Sequence, residues 1–219
     1  MDMDRARRNM VNQQIRPWDM ADQSVLELLS RVRREDFAPS PWRNLAFVDM
    51  ALPLGEKPHQ TMLEPKMEAR FLEALTVMPT DKVLEIGAGS GHMAALLAAK
   101  AEYVVSVEID ADVAGQARAN LCRAGVENAR VEIADGSAGF IACAPYDVIV
   151  ISGGVPEIPS VILQQLRPGG RLLAVVGQPP LLRAELVRVL AGQPPQVEVL
   201  FETCLPYLEN FSTAPAFSL

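Results

Sequence analysis

The chain has 219 residues, is 49% hydrophobic and 21% charged, and carries a formal net charge of −7. That balance fits one large globular unit whose core needs no metal or disulfide, and it excludes collagen-like, coiled-coil and globally disordered chains. The acidic excess lies in residues 44–219, with 12 basic and 20 acidic side chains, which argues against nucleic-acid affinity built on phosphate neutralisation. Residues 1–43 hold eight arginines and seven acids and read as solvated helix faces. No apolar leader follows the charged start, and no apolar run reaches the length of a membrane span. A cytoplasmic protein with no membrane partner is the expectation. Residues 1–16 read as a polar helix stopped by Pro17. Asp22 caps a second helix over 23–34, with Val25, Leu26, Leu28, Leu29 and Val32 on its apolar side. Five prolines make 36–65 irregular, and a stretch that long suggests a functional loop. Helix 66–77 follows, with Pro65 at its start.

Beyond residue 80 strands alternate with helices. Strands are predicted at 82–87, 103–108, 129–135, 146–152 and 170–177, with helices at 91–100, 111–124 and 159–166 between them. That alternation predicts an α/β fold, a doubly wound, mainly parallel sheet with helices on both faces. Segments 181–190 and 196–205 read as an antiparallel strand pair closing one edge. Residues 1–65 are expected to form N-terminal helices and a substrate loop packed on a core of 66–219, making one structural domain in all. Cys122, Cys143 and Cys204 are odd in number and contain no CxxC, so reduced and mostly buried thiols are expected. With only His59 and His92, no histidine-based metal site is expected.

The strongest local signal is Val83-Leu84-Glu85-Ile86-Gly87-Ala88-Gly89-Ser90-Gly91, a glycine turn between a strand and a helix. Glycines there permit a tight turn and a close ligand approach. A dinucleotide fingerprint would need glycine where His92 stands, and a P-loop would need a lysine that is absent. Glu85 repels pyrophosphate and suits an ammonium or sulfonium. Glu108, ending the second strand, can accept both hydroxyls of a ribose, and Asp135 with Gly136, ending the third, can accept from an adenine amino group. Three acids at consecutive strand ends define one cleft on the carboxyl edge.

This array resembles the Rossmann-like methyltransferases that use S-adenosyl-L-methionine (SAM). The turn Leu166-Arg167-Pro168-Gly169-Gly170-Arg171-Leu172 is similar to a later landmark of that family. The flanks narrow the resemblance. Met10–Arg16, Arg34-Glu35-Asp36-Phe37-Ala38-Pro39, Asp49–Gly55, Gln60-Thr61, Pro145–Ile151 and Val155–Pro159 resemble the protein-L-isoaspartate O-methyltransferases over about residues 6–178. The resemblance implies a SAM-dependent carboxyl methyltransferase that repairs abnormal aspartyl residues in proteins or peptides. It implies cofactor contacts from Glu85, Gly87, Gly89, Gly91, Glu108, Asp135 and Gly136. The family's active loop reads Gln-Thr-Ile-Ser-x-Pro, whereas this chain has Gln60-Thr61-Met62-Leu63-Glu64-Pro65. Leu63 thus stands at the serine position, and Thr61 with backbone N–H groups remains to hold the acceptor. Methylation of another acceptor, a small molecule or another protein or RNA group, stays open, as does a SAM-binding protein without isoaspartyl activity. A carboxylate acceptor is already ionised at pH 7, so the absence of an obvious histidine or cysteine base is compatible with carboxyl methylation.

Overall fold

The computed structural model describes residues 2–18 and 21–211, so Met1 of the first helix and the last eight residues of the 66–219 core lie outside the described residues. Asp2 caps α1 (Met3–Asn9) by accepting from the Arg5 N–H at 3.0 Å. The helix does not run on as a uniform polar rod. Residues Met10–Ile15 widen into a π-helical turn, and Arg16–Trp18 close with a 3-10 turn. The wider turn brings Met10 and Ile15, five residues apart, onto one buried side at 1% exposure each. Asp22 caps α2 (Gln23–Arg31) by accepting from Ser24 and Val25 N–H groups. α2 stops earlier than its apolar pattern predicts, because Arg34 turns into the interior.

Between the helices, β1 (Leu52–Pro53) and β2 (Thr61–Met62) form a short antiparallel ribbon within the proline-rich stretch. α3 (Pro65–Leu75) carries proline in its first turn and ends at Thr76, whose φ of 47° is left-handed. The core sheet then builds as predicted, with β3 (Lys82–Ile86), α4 (His92–Ala98), β4 (Tyr103–Glu108), α5 (Ala111–Arg123) and β5 (Ala129–Ile133). β6 (Tyr146–Val155), α6 (Ser160–Leu163), β7 (Leu166–Gln178), β8 (Leu181–Arg188) and β9 (Gln196–Thr203) complete it. The strand order is β5-β4-β3-β6-β7-β8-β9, parallel through β7 and antiparallel at β8 and β9. The order reverses between β3 and β6, which is where open α/β sheets bind ligands.

Two boundaries moved for physical reasons. α6 is one turn rather than the predicted 159–166, since Leu166 already pairs with Tyr146. β7 therefore starts four residues early, and Arg167–Gly170 bulge out before Arg171 meets Val148. One apolar cluster runs from Met10 and Val25 of the N-terminal helices through Leu72 and Leu96 to Leu205. Across the sheet a second cluster holds Leu84, Ile149 and Leu172. The three cysteines are unpaired, as expected, yet Cys122 and Cys204 are exposed and Cys143 half-buried, so the expectation of buried thiols fails. No helix among the described residues is long and apolar enough to cross a membrane.

After β9 the chain does something the sequence pattern does not announce. It returns along the carboxyl edge of the sheet, where the Gly154 N–H donates to Pro206 O at 2.8 Å and the Leu208 N–H to Gly154 O at 2.9 Å. Gly153 and Gly154 permit this approach: a Cβ on Gly153 would sit 2.6 Å from Leu208, and one on Gly154 2.7 Å from Leu205 O.

Candidate active site

The glycine turn after β3 holds its shape through its own backbone. Gly87, Gly89 and Gly91 take φ values of 90°, 51° and 82°, a region side chains rarely adopt. Gly87 and Ala88 N–H groups donate to Val107 O at 2.9 and 3.1 Å, which fastens the turn to β4. Glu108, at the end of β4, accepts from the Gly89 N–H at 3.0 Å and from the Asp110 N–H at 3.2 Å. Together with Ser152, Leu54 and the returning residues Leu205, Pro206, Leu208 and Glu209, Gly87 and Gly89 of the turn line an open cleft.

The predicted residues take different places around this cleft. Gly87, Gly89, Glu108, Thr61 and Leu63 line it. Asp135 and Gly136 line an adjoining hollow with Ile86 and Leu208. Asp135 accepts from the Ser137 N–H at 2.9 Å and from Asn210 Nδ2 at 2.8 Å. Partial burial pushes its carboxyl up, and these hydrogen bonds outweigh that and leave it below the usual range. Gly91 and Gly136 owe their lack of a side chain to neighbouring protein atoms. A Cβ on Gly91 would meet Ala117 O at 3.1 Å, and one on Gly136 would meet Ile86 at 2.4 Å.

Glu85, expected as an anionic contact for the cofactor, lies deeper than Glu108 and Asp135. It is fully buried beneath the turn, accepting from Ser106 Oγ at 2.6 Å and from Ser152 Oγ at 3.0 Å. It borders only a small inner pocket that it shares with Thr61, Leu63 and Glu68. Burial pushes its carboxyl up to about 8, so near neutral pH it holds a proton. The unfolded chain releases that proton near 4.5. The folded state therefore binds the extra proton between these values, and Glu85 makes stability fall as pH rises from about 5 through about 8. Glu85→Gln should remove this slope. Urea midpoints at pH 5.5 and 8.5 should show the variant gaining on wild type at the higher pH, and an equal difference at both values would contradict it.

Leu63 both borders the cleft and packs into the core. Its side chain is 8% exposed and belongs to the apolar core, while its carbonyl accepts from Arg34 Nη2 at 2.5 Å. Arg34 is itself 1% exposed. Its Nε donates to Ala46 O at 2.8 Å and its Nη1 to Glu68 Oε2 at 2.5 Å. Glu68 also faces His92 Nδ1 at 2.9 Å, which makes Nδ1 the donor to the carboxylate. Burial alone would raise the Glu68 carboxyl, but Arg34 and His92 hold it below its usual value. These three residues pin the Thr61–Leu63 segment over the glycine turn. Sequence reasoning gave them no role, as it gave none to Ser106, Ser152, Leu208 or Glu209. The only signal for the serines was their position on strands that border the glycine turn.

Comparison with known proteins agrees with this arrangement. The family model for protein-L-isoaspartate(D-aspartate) O-methyltransferase matches residues 5–198. The protein-L-isoaspartate O-methyltransferase of Methanoculleus marisnigri is 45% identical over 173 residues, covering 79% of this chain and 78% of that protein. The one from Koribacter versatilis is 37% identical over 216 residues, covering 98% of this chain and 95% of its own length. A solved protein-L-isoaspartate O-methyltransferase superposes with a TM-score of 0.78 at 26% identity, covering 90% of this chain and 64% of that one. A Plasmodium falciparum chain assigned to the same activity, solved with S-adenosyl-L-homocysteine, shares the fold with a TM-score of 0.77 at 16% identity. The chain belongs to the protein-L-isoaspartate(D-aspartate) O-methyltransferase family.

Proposed function

We propose that this protein transfers the methyl group of SAM to the side-chain carboxylate of isoaspartyl residues in proteins and peptides. One observation carries the reading: the family match spans the 51–65 segment, the glycine turn, Glu108 and Asp135, the parts that line the cleft and its adjoining hollow. The residues present suit the cofactor. The left-handed glycines leave the backbone bare at the cleft, and Glu108 ends a strand beside it. In this reading Glu108 accepts from the ribose hydroxyls, Asp135 from the adenine amino group, and Gly87 and Gly89 let the backbone approach. SAM supplies a methyl group made electrophilic by its sulfonium.

The remaining work falls to the chain. The acceptor is ionised at neutral pH, so no side chain has to remove a proton. The protein's task is to align the carboxylate and exclude water. Leu54, Leu63, Val113, Leu205 and Leu208 give the cleft an apolar lining suited to that. Because Leu63 has no side-chain donor, Thr61 and backbone N–H groups of this segment supply hydrogen bonds to the acceptor. Glu108→Ala removes charged hydrogen bonds worth about 1.5–3 kcal/mol, so calorimetry should show SAM affinity weakened about 10- to 100-fold in a folded variant. The methyl group transferred by wild type should be released by mild alkali, as a carboxyl ester is. An alkali-stable product would point instead to a different acceptor group.

A further inference from the structure

The returning segment that closes the cleft carries a carboxylate into it. Glu209 Oε1 accepts from Lys57 Nζ at 2.9 Å and lies 2.8 Å from His59 Nε2. Both partners sit in the loop between β1 and β2, two and four residues before Thr61. His59 is the one side chain in the cleft lining able to carry positive charge, and the other lining carboxylate, Glu108, is engaged by backbone N–H groups. Lys57 is also 3.7 Å from Asp110 Oδ2, so the loop is tied to the start of α5 as well.

An incoming acceptor carboxylate faces a chain of net charge −7 and a Leu63 with no side-chain donor. It needs local positive charge beside the cleft, and the structure holds a carboxylate in such a place already. We propose that Lys57 and His59 form the subsite for the acceptor's carboxylate, and that Glu209 fills it as an internal stand-in until a substrate carboxylate displaces it. This rests on the carboxyl methyltransferase reading above. The stand-in is suited to displacement, because the Lys57 and Glu209 side chains are 49% and 34% exposed and an ion pair so open to water is weak. Hydrogen bonding to Glu209 raises Lys57, and hydrogen bonding from Lys57 and His59 lowers Glu209, as a charged pair requires.

The test combines methyl-transfer kinetics on an isoaspartyl peptide with calorimetric SAM titration. It compares wild type, Glu209→Gln and the double variant Lys57→Met/His59→Gln, with thermal melts to check folding. Glu209→Gln should lower the peptide KM about threefold by removing the competitor. The double variant should raise it about tenfold and lose the dependence of KM on ionic strength that wild type shows. In the double variant the SAM Kd should stay within about twofold, because the cofactor is assigned to the glycine turn, Glu108 and Asp135 and not to Lys57 and His59. A peptide KM that is unchanged or raised in Glu209→Gln would make Glu209 a structural staple and overturn the proposal. So would a weakened SAM Kd with unmoved peptide KM in the double variant, which would assign the cations to the cofactor's own carboxylate. A wild type that binds SAM yet never methylates the peptide is a separate failure, and it overturns the underlying reading.

Discussion

Arg34→Met should lower stability by about 3–5 kcal/mol, the cost of leaving a buried charge without its partner. Arg34 is 1% exposed and ends three interactions in the interior, with Glu68, Leu63 O and Ala46 O. Methionine fills much of the volume but donates nothing. Glu68, also 1% exposed, keeps only His92, and two carbonyls lose their donor. For a chain of this size the loss corresponds to a Tm lower by about 10 °C. Arg34→Lys keeps the charge without the planar fork and should fall between the two. Urea denaturation reads both variants, and an Arg34→Met protein within about 1 kcal/mol of wild type would contradict the account of this network.

Gly89→Val should abolish measurable SAM binding, with a rise in Kd of more than about 100-fold. Two effects add. Gly89 has φ of 51°, which a β-branched residue tolerates poorly. Its new Cβ would also stand 3.2 Å from Leu54 Cδ1 and 3.7 Å from Thr61 O, before the valine methyls are counted. The turn must shift, and the Gly89 N–H then leaves Glu108, so the backbone and the carboxylate beside the cleft move together. Because Gly89 lies at the surface of the cleft, the loss in folding stability should be smaller than that of Arg34→Met. Wild-type affinity measured by calorimetry in a folded Gly89→Val protein would place the ligand elsewhere.

What the sequence reveals and what it hides divide by range. The strands were legible because buried parallel strands are short continuous apolar runs, and Tyr103–Glu108 needed no correction at either end. Glycine at 87, 89 and 91 and the acids at 108 and 135 were legible because strand ends fall on one edge of such a sheet. Contacts across long separations left no periodic trace. Lys57 and Glu209 are 152 positions apart, and Arg34 and Glu68 are 34 apart. The return of residues 205–211 has no alternation because it joins the sheet at a single bridge, at Gly154. Glu85 read as an anionic contact for the cofactor since its depth under the turn depends on Ser106 and Ser152 from two neighbouring strands. Leu63 was legible as an apolar residue at the cleft, but its second place in the core and the hold of Arg34 on its carbonyl, 29 positions away, were not.

The central claim is methyl transfer to an isoaspartyl carboxylate, and one paired assay tests it most directly. Wild-type protein is incubated with methyl-labelled SAM and either of two peptides that differ only in a normal or an isoaspartyl linkage at one residue. The account predicts label in the isoaspartyl peptide and little in its normal counterpart. Label in neither peptide, from protein shown by calorimetry to bind SAM, or equal label in both, would contradict it.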